Sequence, residues 1–272
     1  MAGVVAVLAA GSVGAILATS GSKPHKAVVV SPVQQGAVAA WVDGQIDPAT
    51  VVSCDPSMCA ALVAHDYPSK NVRDLSSPSA LKASGVVVVT PVALQLFGSS
   101  LVTAWAPAAL ATFGAGSSTV SVRIVAPQGA TAYERQARQD QAARASSEAA
   151  LTQAKSITIS KAAAQELNSG QVDWRLTEAI TAAAGVQPID IVDFGNAGSG
   201  ASANVPLRYA DLAASNAATG LSVSAYVQAL RTSMAGSPTP RPARTQLLTV
   251  SGQQVLRVEF LGPSKSGALN NP

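Results

Sequence analysis

Residues 51–64, VVSCDPSMCAALVA, contain the clearest structural signal in the sequence. The first part of this stretch, Val51–Cys54, is a short apolar run of the kind that forms a buried strand. Asp55 is a favoured helix N-cap and Pro56 suits the first helical position, so a helix follows at once and continues to Ala64. The stretch therefore predicts a strand, a tight corner and a helix in direct succession.

The same alternation of helix and strand continues on both sides of this stretch. Residues 34–42 predict a preceding helix. Val86–Thr90 is a continuous β-branched run, typical of a strand that is covered on both faces, and Pro91 opens a further helix. The alternating apolar residues of Thr119–Val125 predict the last strand. Strands that alternate with helices predict an α/β unit with a parallel, Rossmann-like sheet over residues 34–127.

The unit also resembles a known module. The resemblance is carried by Ala40-Trp41-Val42, Val51–Asp55, Val86–Pro91, Leu110–Gly116 and Val120–Ile124. On these segments the chain resembles the soluble extracytoplasmic domain appended to some multi-pass actinobacterial glycosyltransferases of the dolichol-phosphate-mannose type. The resemblance covers about residues 34–127, less than half of the chain, and implies an α/β fold in a membrane-anchored envelope protein. It does not imply glycosyl transfer, because the catalytic acids of that family lie in membrane-proximal loops outside the resembling segments.

A second, smaller α/β (α+β) unit is predicted over residues 157–236. Ile157–Ile159 predicts a strand, and Ser160 after it is a predicted helix cap. Asp173 caps a second helix, and Pro188–Phe194 is a further strand. The unit therefore repeats the alternation of helices and strands without repeating the residues of the first one.

The C-terminal part is predicted to complete this second unit. Leu221–Met234 reads as its last helix, and a Pro-rich connector follows at residues 237–244. Residues 245–262 predict a β-hairpin that turns at Ser251-Gly252. The tail at residues 263–272 is predicted to be mobile.

Residues 128–156 predict a polar helix that connects the two units. Opposite charges stand four residues apart in it, at Glu134 and Arg138, at Asp140 and Arg144, and at Arg144 and Glu148. Its apolar stripe is mostly alanine, whereas a coiled-coil seam needs larger residues at repeated heptad positions. We therefore expect an exposed helix.

The N-terminus predicts a transmembrane or signal-anchor helix over residues 1–22, followed by a tether at 23–33. No charged residue occurs from Ala2 to Ser20, and such a run is just long enough to cross the hydrocarbon core of about 30 Å. A core helix would show a polar face, which this stretch lacks. We expect a single-pass cell-membrane protein in contact with membrane lipid, its body extracytoplasmic. Secretion after cleavage near Ser20 is the alternative, and the basic residues after the stretch argue for the opposite orientation.

The two cysteines, Cys54 and Cys59, predict a local disulfide in an oxidising compartment. Two free thiols are the alternative. A zinc site would need about four ligands, and the histidines do not flank the cysteines at a usual spacing. A thioredoxin-like pair needs two intervening residues rather than four.

Composition and motifs exclude several function classes. The net charge is +3, but the basic residues are scattered, so nucleic-acid binding is not expected. His65 is the only histidine in the predicted folded body, and no Gly-x-Ser-x-Gly elbow accompanies it, which argues against a Ser-His-Asp relay. No glycine pattern matches a nucleotide-binding fingerprint. We therefore predict no cofactor and no metal.

A candidate ligand site lies where the strand ending at Phe194 meets a Gly- and Ser-rich loop, residues 195–206. Loops at strand ends of α/β folds often bind ligands, although a merely flexible loop is the alternative. The candidate ligand-binding residues are Asp190, Asp193, Asn196 and Ser199. The two aspartates are predicted to lie on opposite faces of their strand, because side chains alternate along it.

These features favour a non-enzymatic envelope protein that acts as a binding or scaffolding module. A cell-wall glycan or an envelope protein is its expected partner. The alternative is an accessory subunit or an enzyme of cell-wall glycan or peptidoglycan metabolism, suggested by the resemblance and by the Gly-rich loop at the strand end.

Overall fold

The computed structural model describes residues 30–214, 222–236, 240–265 and 267. The predicted N-terminal helix, most of its tether and most of the predicted mobile tail lie outside these residues. The described chain is a mixed α/β protein with two five-stranded mixed sheets. Among its helices, none is long and apolar enough to span a membrane.

The first sheet belongs to the N-terminal half. Its elements are α1 (Pro32–Gln45), β1 (Val52–Cys54), α2 (Pro56–Ala64), β2 (Val72–Asp74), α3 (Pro78–Lys82), β3 (Val86–Val89), α4 (Pro91–Phe97), β4 (Ala108–Phe113) and β5 (Val120–Ile124). The strands lie in the order β2-β1-β3-β5-β4. All four valines of β3 are buried, Val86 and Val88 among the residues of α1 and α2, and Val87 and Val89 on the other side. The prediction of a strand covered on both faces is therefore confirmed.

Two helix caps hold the corners after β1 and β3. Asp55 accepts hydrogen bonds from the backbone N–H groups of Ser57 and Met58, as a helix N-cap should. Thr90 caps α4 and donates its hydroxyl to the same carboxylate at 2.5 Å. Burial alone would raise the pKa of Asp55, but these hydrogen bonds outweigh burial and lower it. Both corners are thus fixed by one carboxylate.

The prediction of a parallel sheet is wrong for one strand. β1 pairs in parallel with β2 and β3, whereas β5 runs antiparallel to both β3 and β4. The cause is β4, an Ala-rich strand that the sequence did not predict because alanine has little preference for strands. Only a short turn joins β4 to β5, and such a turn connects antiparallel neighbours.

The second sheet belongs to the C-terminal half. Its elements are α5 (Ala130–Glu148), β6 (Ile157–Ile159), α6 (Lys161–Asn168), α7 (Trp174–Ala184), β7 (Ile189–Gly195), β8 (Tyr209–Ala214), α8 (Val223–Gly236), β9 (Arg244–Val250) and β10 (Gln253–Glu259), in the strand order β6-β7-β8-β10-β9. Ser160 and Asp173 cap α6 and α7, as predicted. The predicted hairpin is confirmed, with positive φ angles of 51° at Ser251 and 82° at Gly252. β8 is a further strand that the sequence did not predict.

Two segments of the second half attach it to the first. In the Gly- and Ser-rich loop, the carbonyl of Gly200 accepts from Thr112 N–H of β4 at 2.9 Å, and Ser202 N–H donates to Leu110 at 2.9 Å. Beyond β10, Gly262 N–H donates to Gln45 and its carbonyl accepts from Asp47 N–H. The loop therefore pairs with β4, and the segment after β10 binds the C-terminal end of α1.

The predicted disulfide between Cys54 and Cys59 is confirmed. It links the last residue of β1 to the first turns of α2 across a Cα–Cα distance of 5.4 Å. Both cysteines are buried, so the bond lies inside the apolar cluster of the first unit.

Candidate functional site

The two predicted aspartates do not lie as expected. Asp190 pairs with Ala213 and Asp193 with Asp211, so a β-bulge at Val192 inserts one extra residue into β7. Because Ala213 and Asp211 share a face of β8, the bulge places Asp190 and Asp193 on that same face. The prediction of opposite faces is therefore wrong, since it assumed strict alternation.

This face of the second sheet carries a row of interacting polar groups. The carboxylate of Asp211 accepts two hydrogen bonds from Arg257, at 2.8 and 2.7 Å, and Arg257 stacks on the ring of Tyr209. Burial and the neighbouring Asp211 raise the pKa of Asp193. Burial and Asp193 in turn raise the pKa of Glu166. Among the described residues, no group of His, Cys, Asp and Glu could hold a metal ion.

The other two predicted site residues belong to the loop. Asn196 donates its amide to the carbonyls of Ser202 and Val205, at 3.1 and 3.4 Å, and thereby holds the loop closed. Ser199 is exposed. The loop presses against the first unit, because a Cβ at Gly198 would lie 2.6 Å from the ring of Trp41. None of the four predicted residues lines either of the two cavities described next.

A cavity of about 370 Å³ lies between the two units. Its walls come from α5, from β4 and β5, from residues 203–206 of the loop and from residues 263–265. The charged side chains that line it are Arg138, Arg144, Arg208, Lys265 and Asp140, so their formal charge is +3. We refer to it as the cationic cavity.

Arg208 is the most buried charge of the cationic cavity, with 3% of its surface exposed. Its Nε donates to Asn196 and its Nη1 to the carbonyl of Gln45, each at 3.2 Å. Its Nη2 is buried and has no hydrogen-bond partner. Burial lowers the pKa of Arg208 to about 10, so the guanidinium stays charged near neutral pH.

The carboxylates near Arg208 are bound to other groups. Asp173 is 1% exposed and accepts from Arg175 at 2.8 and 3.0 Å and from the hydroxyl of Ser264. Glu259 accepts from the amide of Gln45 at 2.7 Å. Among the described residues, Arg208 forms no salt bridge. Leaving the Nη2 group of a buried guanidinium without an acceptor is costly, and an anion bound in the cavity would offset part of this cost electrostatically.

The remaining cations of the cavity lie nearer to solvent. Arg144 donates to the carbonyl of Gly170 at 2.9 Å, while Arg138 and Lys265 are exposed. The one acidic residue, Asp140, accepts from Gln136 and from the backbone of Gly267. Guanidinium groups bind phosphate and carboxylate through charged, often bidentate hydrogen bonds. The lining of the cationic cavity therefore matches the chemistry of an anionic ligand.

A second, larger cavity of about 680 Å³ adjoins the first. It runs between α7 and the end of α5, and its lining is mostly apolar, including Leu151, Ala154, Ile157 and Ala182. Trp174 lines both cavities. We refer to this second cavity as the apolar groove.

Glu148 is the last residue of α5 and directly follows Ser147, which lines the apolar groove. The connecting helix was expected to be exposed, but Glu148 is only 1% exposed and neither carboxyl oxygen has a hydrogen-bond partner. Burial raises its pKa to about 8, Arg144 opposes the shift and Asp173 adds to it. The prediction of an exposed helix is thus wrong for this face of α5, because α6 and the segment after it pack against it.

Comparisons with known proteins give no relative: no family model matches the chain, and neither a curated protein nor a solved structure is significantly similar to it.

Proposed function

We propose that the chain is an extracytoplasmic, single-pass envelope protein whose body binds a small anionic ligand without transforming it. The observation that carries the proposal is Arg208, a buried guanidinium of the cationic cavity with an unpartnered Nη2. The apolar stretch Ala2–Ser20 supports the membrane anchor and the outside location, with secretion after cleavage as the variant form.

Inorganic phosphate is the probe for the anion site. In an NMR titration of the full chain, we expect Arg138→Gln to weaken phosphate binding roughly threefold to tenfold, since it removes a charge at the rim of the cavity. Arg208→Gln should weaken it by at least about thirtyfold, because that cation is buried.

Arg135→Gln is the matched control, since Arg135 is exposed on the same helix but does not line the cavity. It should leave phosphate binding unchanged. If Arg208→Gln does not fold, the comparison of Arg138→Gln with Arg135→Gln still tests whether phosphate binds in the cationic cavity. Equal binding by both variants, or no phosphate binding by the wild type, would contradict the proposal.

The disulfide gives a test of the compartment. The protein is isolated from its own membranes under acid quench, which preserves the state of its thiols. We expect an alkylating reagent to modify Cys54 and Cys59 only after a reductant is added. Replacing both cysteines by serine should lower the free energy of unfolding by about 2 kcal/mol, as expected for a short closed loop. Free thiols in the isolated protein, together with its recovery in the cytosolic fraction, would contradict the proposed location.

An accessory subunit or enzyme of cell-wall glycan or peptidoglycan metabolism is the second candidate. It is favoured by the bulge, which aligns Asp190 and Asp193 on one face, and by the raised pKa of Asp193, as expected of a proton donor. In this case Asp193→Asn should abolish muropeptide binding or turnover, while Asp74→Asn on the exposed end of β2 should not. Absence of both binding and turnover in the wild type would reject this candidate.

A further inference from the structure

The apolar groove and the cationic cavity are parts of one surface. Trp174, the first residue of α7, lines both, and α5 contributes Arg138 and Arg144 to the cavity and Ser147 to the groove. A ligand that passes Trp174 would therefore contact both regions. Cavities of this size suit small ligands of mixed polarity.

Charges are distributed unevenly along this surface. The cationic cavity has a formal charge of +3, whereas Glu178 is the only ionisable residue among the described residues that line the groove. A negatively charged group would thus be attracted to the cavity and repelled from the groove. A formal charge of +3 also suits a dianionic phosphate better than a singly charged carboxylate.

The position between the two regions is not purely apolar. The indole Nε1 of Trp174 is buried and has no hydrogen-bond partner. Buried indole N–H groups usually have an acceptor. The bridging oxygen of a phosphate monoester would lie beside Trp174, between a phosphate in the cavity and a hydrocarbon chain in the groove.

We propose that the ligand is a phosphate monoester of a single hydrocarbon chain, with the phosphate in the cationic cavity and the chain in the apolar groove. This inference rests on the proposed anion-binding function and adds the apolar half of the ligand. The groove thus binds one molecule of a monomeric amphiphile at a time.

The test compares methyl, octyl and decyl phosphate on the full chain in lipid nanodiscs. All variants are measured in identical nanodiscs. Partition of the probe into lipid is therefore the same for each variant and cancels when their affinities are compared. We expect affinity to rise by up to about fourfold for each methylene that enters the groove. Ala182→Phe, which fills the groove, should weaken decyl phosphate binding at least tenfold and leave methyl phosphate unaffected. Ala162→Phe, at an exposed site on α6, is the control.

The outcomes separate the two proposals. If methyl and decyl phosphate bind equally and Ala182→Phe changes neither, the inference is overturned and the anion site stands. If decanol binds as tightly as decyl phosphate and Arg138→Gln weakens neither, both proposals are overturned. Chain-length dependence that disappears in Ala182→Phe, with the effect of Arg138→Gln retained, supports both.

Discussion

Glu148→Gln is expected to remove most of the loss of stability that the wild type shows between about pH 5 and pH 8. The folded protein holds the proton of Glu148 up to a pKa of about 8, whereas the ordinary value is 4.5. Between these values the unfolded chain releases a proton that the folded chain keeps, so unfolding becomes easier as pH rises. One such group lowers the free energy of unfolding by roughly 1.4 kcal/mol per pH unit, or about 4 kcal/mol over the window.

Glutamine cannot ionise, so the variant should be the more stable protein at pH 8 and should differ little from the wild type near pH 5. Chemical denaturation at both pH values measures this difference. Other groups with raised pKa values, such as Glu166 and Asp193, act in the same direction in both proteins and cancel in the comparison. Glu134→Gln, on the exposed side of the same helix, should leave the pH dependence unchanged. Parallel curves for the wild type and Glu148→Gln would mean that Glu148 does not ionise in this window.

Gly200→Ala is expected to lower the free energy of unfolding by about 3 kcal/mol and to loosen the contact between the two sheets. The glycine has a φ of +82°, where an L side chain is strained by about 1–2 kcal/mol. Its new Cβ would also lie 2.4 Å from the carbonyl oxygen of Thr112, a backbone atom of β4 that cannot simply rotate away. Overpacking of this kind typically costs a further 1–3 kcal/mol, in rough terms.

Gly252→Ala separates the two effects. Gly252 has the same φ of +82°, but its new methyl group would meet no atom within 4 Å beyond its chain neighbours, so only the backbone strain should be felt. Thermal and chemical denaturation of both variants give the comparison, and hydrogen exchange at Thr112 N–H, which donates to Gly200, reports the contact itself. Equal destabilisation by the two substitutions would show that the loop is not pressed against β4.

Local signals explain what the sequence predicts well. The caps Asp55, Ser160 and Asp173 and the turn at Ser251-Gly252 each act within a few residues, so their effects can be deduced from neighbours in the chain. β3 follows from an uninterrupted β-branched run. By contrast β4 is rich in alanine, whose preference for strands is weak, and its pairing depends on β5.

The candidate site cannot be predicted from local sequence signals. The bulge at Val192 leaves no mark in the sequence, yet it reverses the predicted relation between Asp190 and Asp193. Arg208 precedes an unpredicted strand and donates to Gln45, which is 163 residues away in the chain. The burial of Glu148 likewise depends on tertiary packing against α5, whereas the polar sequence of that helix predicts exposure to solvent. Such residues become recognisable only when distant segments are brought together.

The pairing of the Gly- and Ser-rich loop with β4 has a consequence for biosynthesis. All strands of the first sheet leave the ribosome long before residues 200–202, so during synthesis the outer edge of β4 has no pairing partner. An open edge strand is a template for wrong pairing with other chains. A nascent or truncated form that ends before this loop should therefore need a chaperone, and should aggregate where the complete chain does not.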